Sequence, residues 1–131
     1  MKAKTINFQG GTFKKDPLDL SGYNFPLPVS FTDCTFKGAV RIEAVEFESW
    51  VDFVGATFEK PVLLKDSTFD GQVDFESARF KESLAIDSCQ FKYDVKLDDT
   101  DVLRRLHIWK SRFQGPTTLT EFGGYGGVIA E

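Results

Sequence analysis

The acidic cluster Asp98, Asp99 and Asp101 is the part of this sequence best suited to catalysis. Paired carboxylates share the acid and base roles in enzymes that cleave glycosidic bonds. A sugar-binding cleft is built from long loops, whereas the segments between the repeating units of this chain, described below, have only two or three residues. We therefore rank a glycan-active enzyme last among the functions considered and predict no catalytic residue.

Other reactive side chains are few. His107 is the only histidine, and no Ser or Cys with a nucleophile motif surrounds it, so we interpret it as a surface residue. Cys34 and Cys89 form no CxxC motif and have no histidine partner nearby, which argues against a zinc site or a disulfide framework. The sequence contains no phosphate-binding glycine loop. We predict no cofactor, no metal and no enzymatic activity.

Composition narrows the class of partner. The chain has 131 residues, enough for one domain, with a net charge of −4 and a pI of about 5.0. This charge is unsuited to direct nucleic-acid binding. No apolar run approaches the roughly 18 residues of a membrane span, and the first residues lack the apolar core of a secretory signal. We expect a cytoplasmic protein without membrane contact.

A short repeat organises the sequence. Large apolar residues, here called centres, recur at steps that alternate between five and six. A second apolar or small residue lies two positions before each centre, and this period of two places both side chains on one face of a short strand. The centres are Leu20, Phe25, Phe31, Phe36, Ile42, Phe47, Phe53, Phe58, Leu64, Phe69, Phe75, Phe80, Ile86, Phe91, Leu97, Val102, Ile108, Phe113 and Leu119.

Grouping four centres per turn separates the residue types. The first column is aliphatic, as at Ile42 and Leu64, whereas every member of the second is Phe, as at Phe47 and Phe69. A period of 22 therefore fits better than one of 11. It predicts an all-β, four-sided β-helix of about five coils, occupying residues 1–122, with a Gly-rich tail or cap at 123–131. A seven-residue step from Phe13 to Leu20 predicts a one-residue insertion.

Two local expectations follow from the repeat. Eleven of the 14 Phe fall on these centres, and Phe8 and Phe13 continue the five-residue spacing upstream. Coils stacked at ~4.8 Å should therefore form continuous internal ladders of rings. Cys34 and Cys89 are two and a half coils apart, roughly 12 Å along the axis, which exceeds the reach of a disulfide. We predict two free, buried thiols. The apolar spacing around Leu106 also fits a helical turn, but the repeat register favours a strand.

The pairs Ala56/Phe58, Val73/Phe75 and Ala78/Phe80 resemble the pentapeptide-repeat family. That family places a small residue, a polar residue and then Leu or Phe on each face of a right-handed quadrilateral β-helix. The resemblance extends over residues 6–119, although every second step here is six and not five. It implies a non-catalytic protein from a bacterium or phage. One group of members resembles B-form DNA in shape and charge and inhibits or protects DNA gyrase, but those members are typically longer dimers.

The register assigns charges to sides. Acidic residues are predicted on the outer surface of the third side or near it, whereas the fourth side and its corner carry basic residues. An acidic strip would suit a basic protein partner, and a solvated solenoid face explains the same charges. The acidic residues are Asp52, Asp74, Glu76, Asp98, Asp99 and Asp101; the basic ones are Lys37, Lys60, Arg79, Lys81, Arg104 and Arg105.

Outward apolar residues indicate a second type of contact. Such residues include Trp50, Val54, Leu63 and Tyr93. Leu103, Trp109, Phe122 and Tyr125 are assigned to a cap or a two-fold homodimer contact formed by the C-terminal coil. The leading functional hypothesis is a protein-binding solenoid, in its specific form an inhibitor or DNA mimic acting on a nucleic-acid-handling protein. The alternative is a structural or oligomerising module that uses its coil ends.

Overall fold

Four parallel β-sheets form the four sides of a solenoid. The computed structural model describes residues 4–118, 120–121, 123–124 and 128–130. The strands are numbered in chain order, and short corners join them wherever the intervening residues are described. None of the described residues forms a helix able to cross a membrane. This is the predicted all-β, four-sided architecture, with about five coils of 22 residues.

Each side is one ladder of strands. The first side contains β3 (Leu18–Asp19), β7 (Val40–Glu43), β11 (Val62–Lys65), β15 (Leu84–Asp87), β19 (Leu106–Trp109) and β23 (Val128–Ala130). The second contains β4 (Asn24–Phe25), β8 (Glu46–Phe47), β12 (Thr68–Phe69), β16 (Gln90–Phe91) and β20 (Arg112–Phe113). The third contains β1 (Ile6–Asn7), β5 (Val29–Ser30), β9 (Val51–Asp52), β13 (Val73–Asp74), β17 (Val95–Lys96) and β21 (Thr117–Thr118). The fourth contains β2 (Thr12–Phe13), β6 (Thr35–Phe36), β10 (Thr57–Phe58), β14 (Arg79–Phe80), β18 (Asp101–Val102) and β22 (Gly123–Gly124).

The pairing register confirms the period of 22. Phe47 pairs with Phe69, and Phe69 pairs with Phe91. In the first coil Phe13 pairs with Phe36, a step of 23, but Leu18 pairs with Val40, a step of 22. The additional residue therefore lies between Phe13 and Leu18, as the seven-residue step predicted.

The corners alternate between two types. Where centres are five residues apart, the second residue of the two-residue corner has a positive φ, in the left-handed region. None of the described three-residue corners contains such a residue. The backbone thus repeats every 11 residues, although the side chains repeat every 22. The left-handed residues are Gly10, Gly22, Asp33, Ala44, Gly55, Asp66, Ser77, Ser88, Asp99, Lys110 and Glu121.

The predicted Phe ladders are present. On the second side Phe69 stacks between Phe47 and Phe91, with ring centroids 5.1 and 4.7 Å away. On the fourth side Phe58 and Phe80 stack at 4.5 Å with nearly parallel rings. The central rings are fully buried. Burial of each Phe contributes roughly 1.5–3 kcal/mol, so these ladders are the main source of stability and hold the outer residues on a rigid frame.

The C-terminal register corrects one expectation. The repeat was expected to end after Leu119, but Asp101 pairs with Gly123 and Leu106 pairs with Val128, both steps of 22. Gly124 and Ala130 occupy the positions of centres. Because these two residues are small, a pattern based on large apolar side chains does not detect them. The segment around Leu106 is a strand, which excludes the helical alternative.

Candidate functional site

The outer surface of the third side carries part of the predicted acidic strip. Asp52 and Asp74 are register partners on adjacent strands. The next strand places Lys96 in the same ladder, beside Asp74, and its ammonium group lies 4.0 Å from Glu76. Asp98 follows on the same coil as Lys96. The strip is therefore acidic but interrupted by one lysine.

The aspartates of this strip also have a structural role. Asp52 Oδ1 accepts a hydrogen bond from the Val54 amide at 2.7 Å, and Asp74 Oδ1 accepts one from the Glu76 amide at 2.9 Å. In the first coil, Asn7 Oδ1 occupies the equivalent position and accepts from the Gln9 amide. A side-chain acceptor at this position satisfies the N–H group that begins each corner. Some of the acidic residues on this side are therefore explained by hydrogen bonds that stabilise the fold.

The environments of Asp74 and Asp98 differ. Burial raises the pKa of Asp74; the Glu76 amide opposes this effect, while the charges of Glu76 and Asp52 add to it. The pKa of Asp98 is lowered by hydrogen bonds from the Thr118 hydroxyl at 2.6 Å and the Thr120 amide at 2.8 Å. Asp98 is thus committed to holding the next coil, whereas the Asp52–Asp74 pair is a site of accumulated negative charge.

The other two predicted acids lie elsewhere. Asp99 is the left-handed residue of the corner between the third and fourth sides, and its carboxylate accepts a hydrogen bond from the Ser77 hydroxyl at 3.1 Å. Asp101 is on the fourth side, in register with Arg79. The six predicted residues therefore do not form a single cluster. Among the described residues, no group of three or more His, Cys, Asp or Glu side chains is arranged to hold a metal ion.

The fourth side is less uniformly basic than the sequence indicated. Lys37 lies 3.8 Å from Glu59, and Arg104 lies 3.7 Å from Glu82. In both pairs the 22-residue register brings together charges of opposite sign from adjacent coils. The predicted segregation of charge by side is therefore incomplete.

An aromatic feature lies at the corner between the second and third sides. Trp50 is 39% exposed and Tyr93 is 60% exposed. Both line a depression of about 440 Å³ whose floor includes Gly71 and Gln72. A second depression, of about 290 Å³, lies beside Trp50 and is lined by Gln72 together with Asp52 and Asp74. Carboxylates thus flank the indole on both sides.

Gly71, on the coil between the two aromatic residues, lets its corner pack closely against the corner of the preceding coil. Gly71 is one coil from Ser49 and one coil from Tyr93 in the same corner position. A Cβ atom on Gly71 would lie 2.6 Å from the backbone nitrogen of Trp50, so no other residue fits at this position without a backbone shift. The sequence indicates that Trp50 and Tyr93 point outward, but not that they line one depression, because they lie on coils two apart and in neighbouring columns of the repeat.

The rim of the larger depression is acidic. It includes Glu48, Asp70 and Asp94. Burial would raise the pKa of Asp70, but the Lys92 ammonium, 2.9 Å from Asp70 Oδ1, outweighs this effect and lowers it. We call this surface the acidic corner; it consists of Trp50, Gly71, Gln72 and Tyr93 with the carboxylates of Glu48, Asp52, Asp70, Asp74 and Asp94.

Comparison with known families agrees with the geometry. A family model described as pentapeptide repeats, in nine copies, matches residues 20–68 and 53–101. The chain belongs to the pentapeptide repeat family. No curated protein and no solved structure matches it significantly. The pentapeptide repeats explain the four stacked sides, and proteins with this fold are often interaction modules and are generally non-catalytic.

The last coils of the pentapeptide repeats hold the other predicted contact residues. Leu103 and Trp109 are half-buried, and the Trp109 ring lies 4.1 Å from that of His107. The strand Leu106–Trp109 is covered by β23 and is not an edge of the first side. Phe122 and Tyr125, assigned to the same cap or dimer contact, lie outside the described residues.

Proposed function

We propose that this pentapeptide-repeat protein is a non-enzymatic binding module that receives a basic protein partner on its third side and acidic corner. The observation that carries the proposal is the position of Trp50, half-exposed between two depressions lined by carboxylates. Exposed Trp and Tyr are frequent anchors of protein interfaces, and charged groups around them add specificity.

The scaffold suits such a contact. The peptide groups around the acidic corner are paired between coils, for example from the Val51 amide to the Gln72 carbonyl at 3.0 Å and from the Val73 amide to the Asp94 carbonyl at 2.9 Å. The residues beneath are buried Phe and Val. A surface that is already ordered loses little conformational entropy on binding. Its field also attracts a basic partner before contact.

A more specific form of the proposal is an inhibitor that competes with nucleic acid for its partner. Proteins that handle nucleic acid present basic surfaces, and acidic side chains recur on the third side from coil to coil, ~4.8 Å apart. Lys96 interrupts this row, so the resemblance to a phosphate backbone would be limited to a few coils. We propose a reducing compartment, the cytoplasm, in keeping with the two unpaired thiols.

A second candidate is an oligomerising module that uses the coil ends. The observation in its favour is Phe8, on the first coil that the structure describes, which stacks on Phe31 at 5.1 Å but is 39% exposed. At the other end, the predicted contact of Leu103 and Trp109 remains a hypothesis. In this case the protein should self-associate through its end coils, and substitutions in the acidic corner should leave self-association unchanged.

The experiment is a comparative pull-down from a bacterial lysate. Glu48 and Glu76 are suitable for charge reversal because, unlike Asp74 and Asp98, neither accepts a hydrogen bond from a backbone amide in the described structure. The double variant Glu48→Lys/Glu76→Lys should lose a partner that the wild type retains, and the wild-type interaction should weaken steeply with salt. Capture by both proteins alike would overturn the proposal.

The matched control changes the same charge on other sides. Glu43 pairs with Arg41 at the end of a first-side strand, and Glu59 pairs with Lys37 beyond a fourth-side strand. The double variant Glu43→Lys/Glu59→Lys alters net charge by the same amount and should retain the partner. Loss of the partner in the control as well would show that only total charge matters.

A further inference from the structure

The depression between Trp50 and Tyr93 has the features of a side-chain receptor. The two aromatic residues belong to coils that are two apart, so strand spacing separates them by about 10 Å along the axis. On the coil between them, Gly71 lies in the column of Tyr93 and contributes no side chain, while Gln72 lies in the column of Trp50 and lines the depression. A group seated above Gly71 would therefore lie about 5 Å along the axis from each aromatic residue.

That spacing suits a cation. A guanidinium or ammonium group is attracted to the face of Trp or Tyr when it lies within about 6 Å of the ring centroid. The planar guanidinium also stacks on aromatic rings and pairs with carboxylates through two parallel hydrogen bonds. Arginine can use both modes at once, whereas lysine presents a single compact charge.

The charge around the depression is also complementary to a cation. Glu48, Asp52, Asp74 and Asp94 form no ion pair within the described part of the chain, and Lys92 neutralises only Asp70. The remaining four carboxylates surround Trp50 on both sides. Asp52 and Asp74 are adjacent in register, and like charges in such a pair repel each other. A bound cation would relieve this repulsion.

We infer that the acidic corner binds an arginine side chain of the partner, with the guanidinium held between Trp50 and Tyr93 above Gly71 and paired with the surrounding carboxylates. The inference rests on the proposed function and names the residue type that the surface recognises. An uncharged sugar could also stack on the two rings, but it would leave the four carboxylates unneutralised. The charge therefore favours arginine over a glycan.

The test uses Trp50 as its own reporter. The chain has two tryptophans, so Trp109→Phe leaves Trp50 as the only one. Acetylated and amidated hexa-arginine is titrated into this protein while its fluorescence is recorded, with hexa-lysine and maltohexaose as comparison ligands. Hexa-arginine should give a saturable change, hexa-lysine a weaker affinity and maltohexaose no change. Saturation by maltohexaose without a response to hexa-arginine would overturn the inference in favour of a glycan.

Two tyrosine variants provide the matched comparison. Tyr93→Ser, in the same background, should raise the Kd for hexa-arginine by about 2- to 30-fold, the range expected for one cation–π contact. Tyr23 is 59% exposed but lies on the first coils, away from the depression, so Tyr23→Ser should leave the Kd unchanged. Equal affinities for hexa-arginine and hexa-lysine, with no effect of Tyr93→Ser, would reduce the site to charge alone and contradict the inference.

The failure of this inference can be distinguished from failure of the proposed function. If Glu48→Lys/Glu76→Lys abolishes capture of a protein partner while Trp50→Ala and Tyr93→Ser leave it intact, the arginine receptor is wrong and the acidic binding surface stands. If none of these variants affects capture, both are wrong. Binding of hexa-arginine to Trp50→Ala is measured by calorimetry, because this variant lacks the tryptophan whose fluorescence reports binding.

Discussion

Asp52 and Asp74 are register partners on adjacent coils, and each carboxylate accepts a hydrogen bond from the amide two residues further along the chain. The pair thus combines a local hydrogen bond that stabilises each corner with a repulsion between neighbouring charges. The fold requires only a side-chain oxygen that accepts this hydrogen bond, whereas the negative charge of each carboxylate remains at the surface. Substitution at Asp74 separates these two effects.

We predict that Asp74→Asn is more stable than the wild type at pH 7, whereas Asp74→Ala is less stable. Asparagine keeps an acceptor for the Glu76 amide and removes the repulsion from Asp52, but alanine loses the hydrogen bond, at a cost of about 0.5–1.5 kcal/mol. Urea unfolding of the three proteins measures the order. An asparagine variant no more stable than the wild type would contradict the assigned repulsion, and one as unstable as the alanine variant would contradict the assigned hydrogen bond.

The same residue predicts a pH dependence. Burial, aided by the charges of Glu76 and Asp52, raises the pKa of Asp74, so the folded protein binds this proton more readily than the unfolded chain. The cost of ionising Asp74 is present above the folded pKa and disappears below the unfolded value, about 3.9. The wild type should therefore gain stability relative to Asp74→Asn as the pH falls from 7 towards 4. A constant difference between the two would show that the pKa is not raised.

Phe69→Ala should reduce the free energy of unfolding by about 3–5 kcal/mol. Phe69 is fully buried and stacked on both faces, so its removal leaves a cavity in the middle of a ladder. Phe8→Ala, at the exposed end of another ladder, is the control and should cost much less. Thermal or urea melts that show equal losses for the two variants would refute the ladder as the source of stability.

Ala44→Gly should stabilise the protein by about 0.5–1 kcal/mol. Ala44 has a φ of 56° in a two-residue corner, and residues with a Cβ atom are strained in this region, whereas glycine is not. Ala85→Gly is the control, because Ala85 lies within the strand Leu84–Asp87, where glycine is destabilising. The two substitutions should shift the urea midpoint in opposite directions, and shifts of the same sign would contradict the corner geometry.

Both thiols should be inert in the folded protein. Burial raises the pKa of Cys89 to about 11 and also raises that of Cys34, whose Sγ donates a hydrogen bond to the Phe8 carbonyl at 2.9 Å. The thiolate is the reactive form, so dithionitrobenzoate at pH 8 should release almost no colour until guanidinium is added. Two thiols per chain should then react. Rapid reaction of either thiol before unfolding would contradict its burial.

The inward residues predicted the fold well. Alternating steps between centres such as Phe47, Phe53 and Phe58 identified the four sides, because a fully buried ladder accepts only a narrow set of side chains at each position. The end of the repeat was missed at Gly124 and Ala130, where the positions of centres are filled by small residues that carry no apolar signal.

The outward residues predicted the site only in part. Trp50 and Tyr93 were recognised as exposed, but the depression that both of them line is evident only when the coils are aligned in register. The sequence predicted the position of the acidic row at Asp52 and Asp74, but not the hydrogen bonds that these carboxylates accept. An aspartate that caps a corner and an aspartate that binds a partner occur at the same position of the repeat, so the sequence does not distinguish them.

Carboxyl footprinting of the complex with the captured partner locates the binding surface on this protein. Carbodiimide labelling with and without the partner, read by mass spectrometry, reports the exposure of each carboxylate. We predict protection at Glu48, Asp52, Asp74 and Glu76, and unchanged labelling at Glu43 and Glu59. Protection confined to Glu121 and other carboxylates of the last coil, with the acidic corner still labelled, would contradict this prediction and favour a module that works through its coil ends.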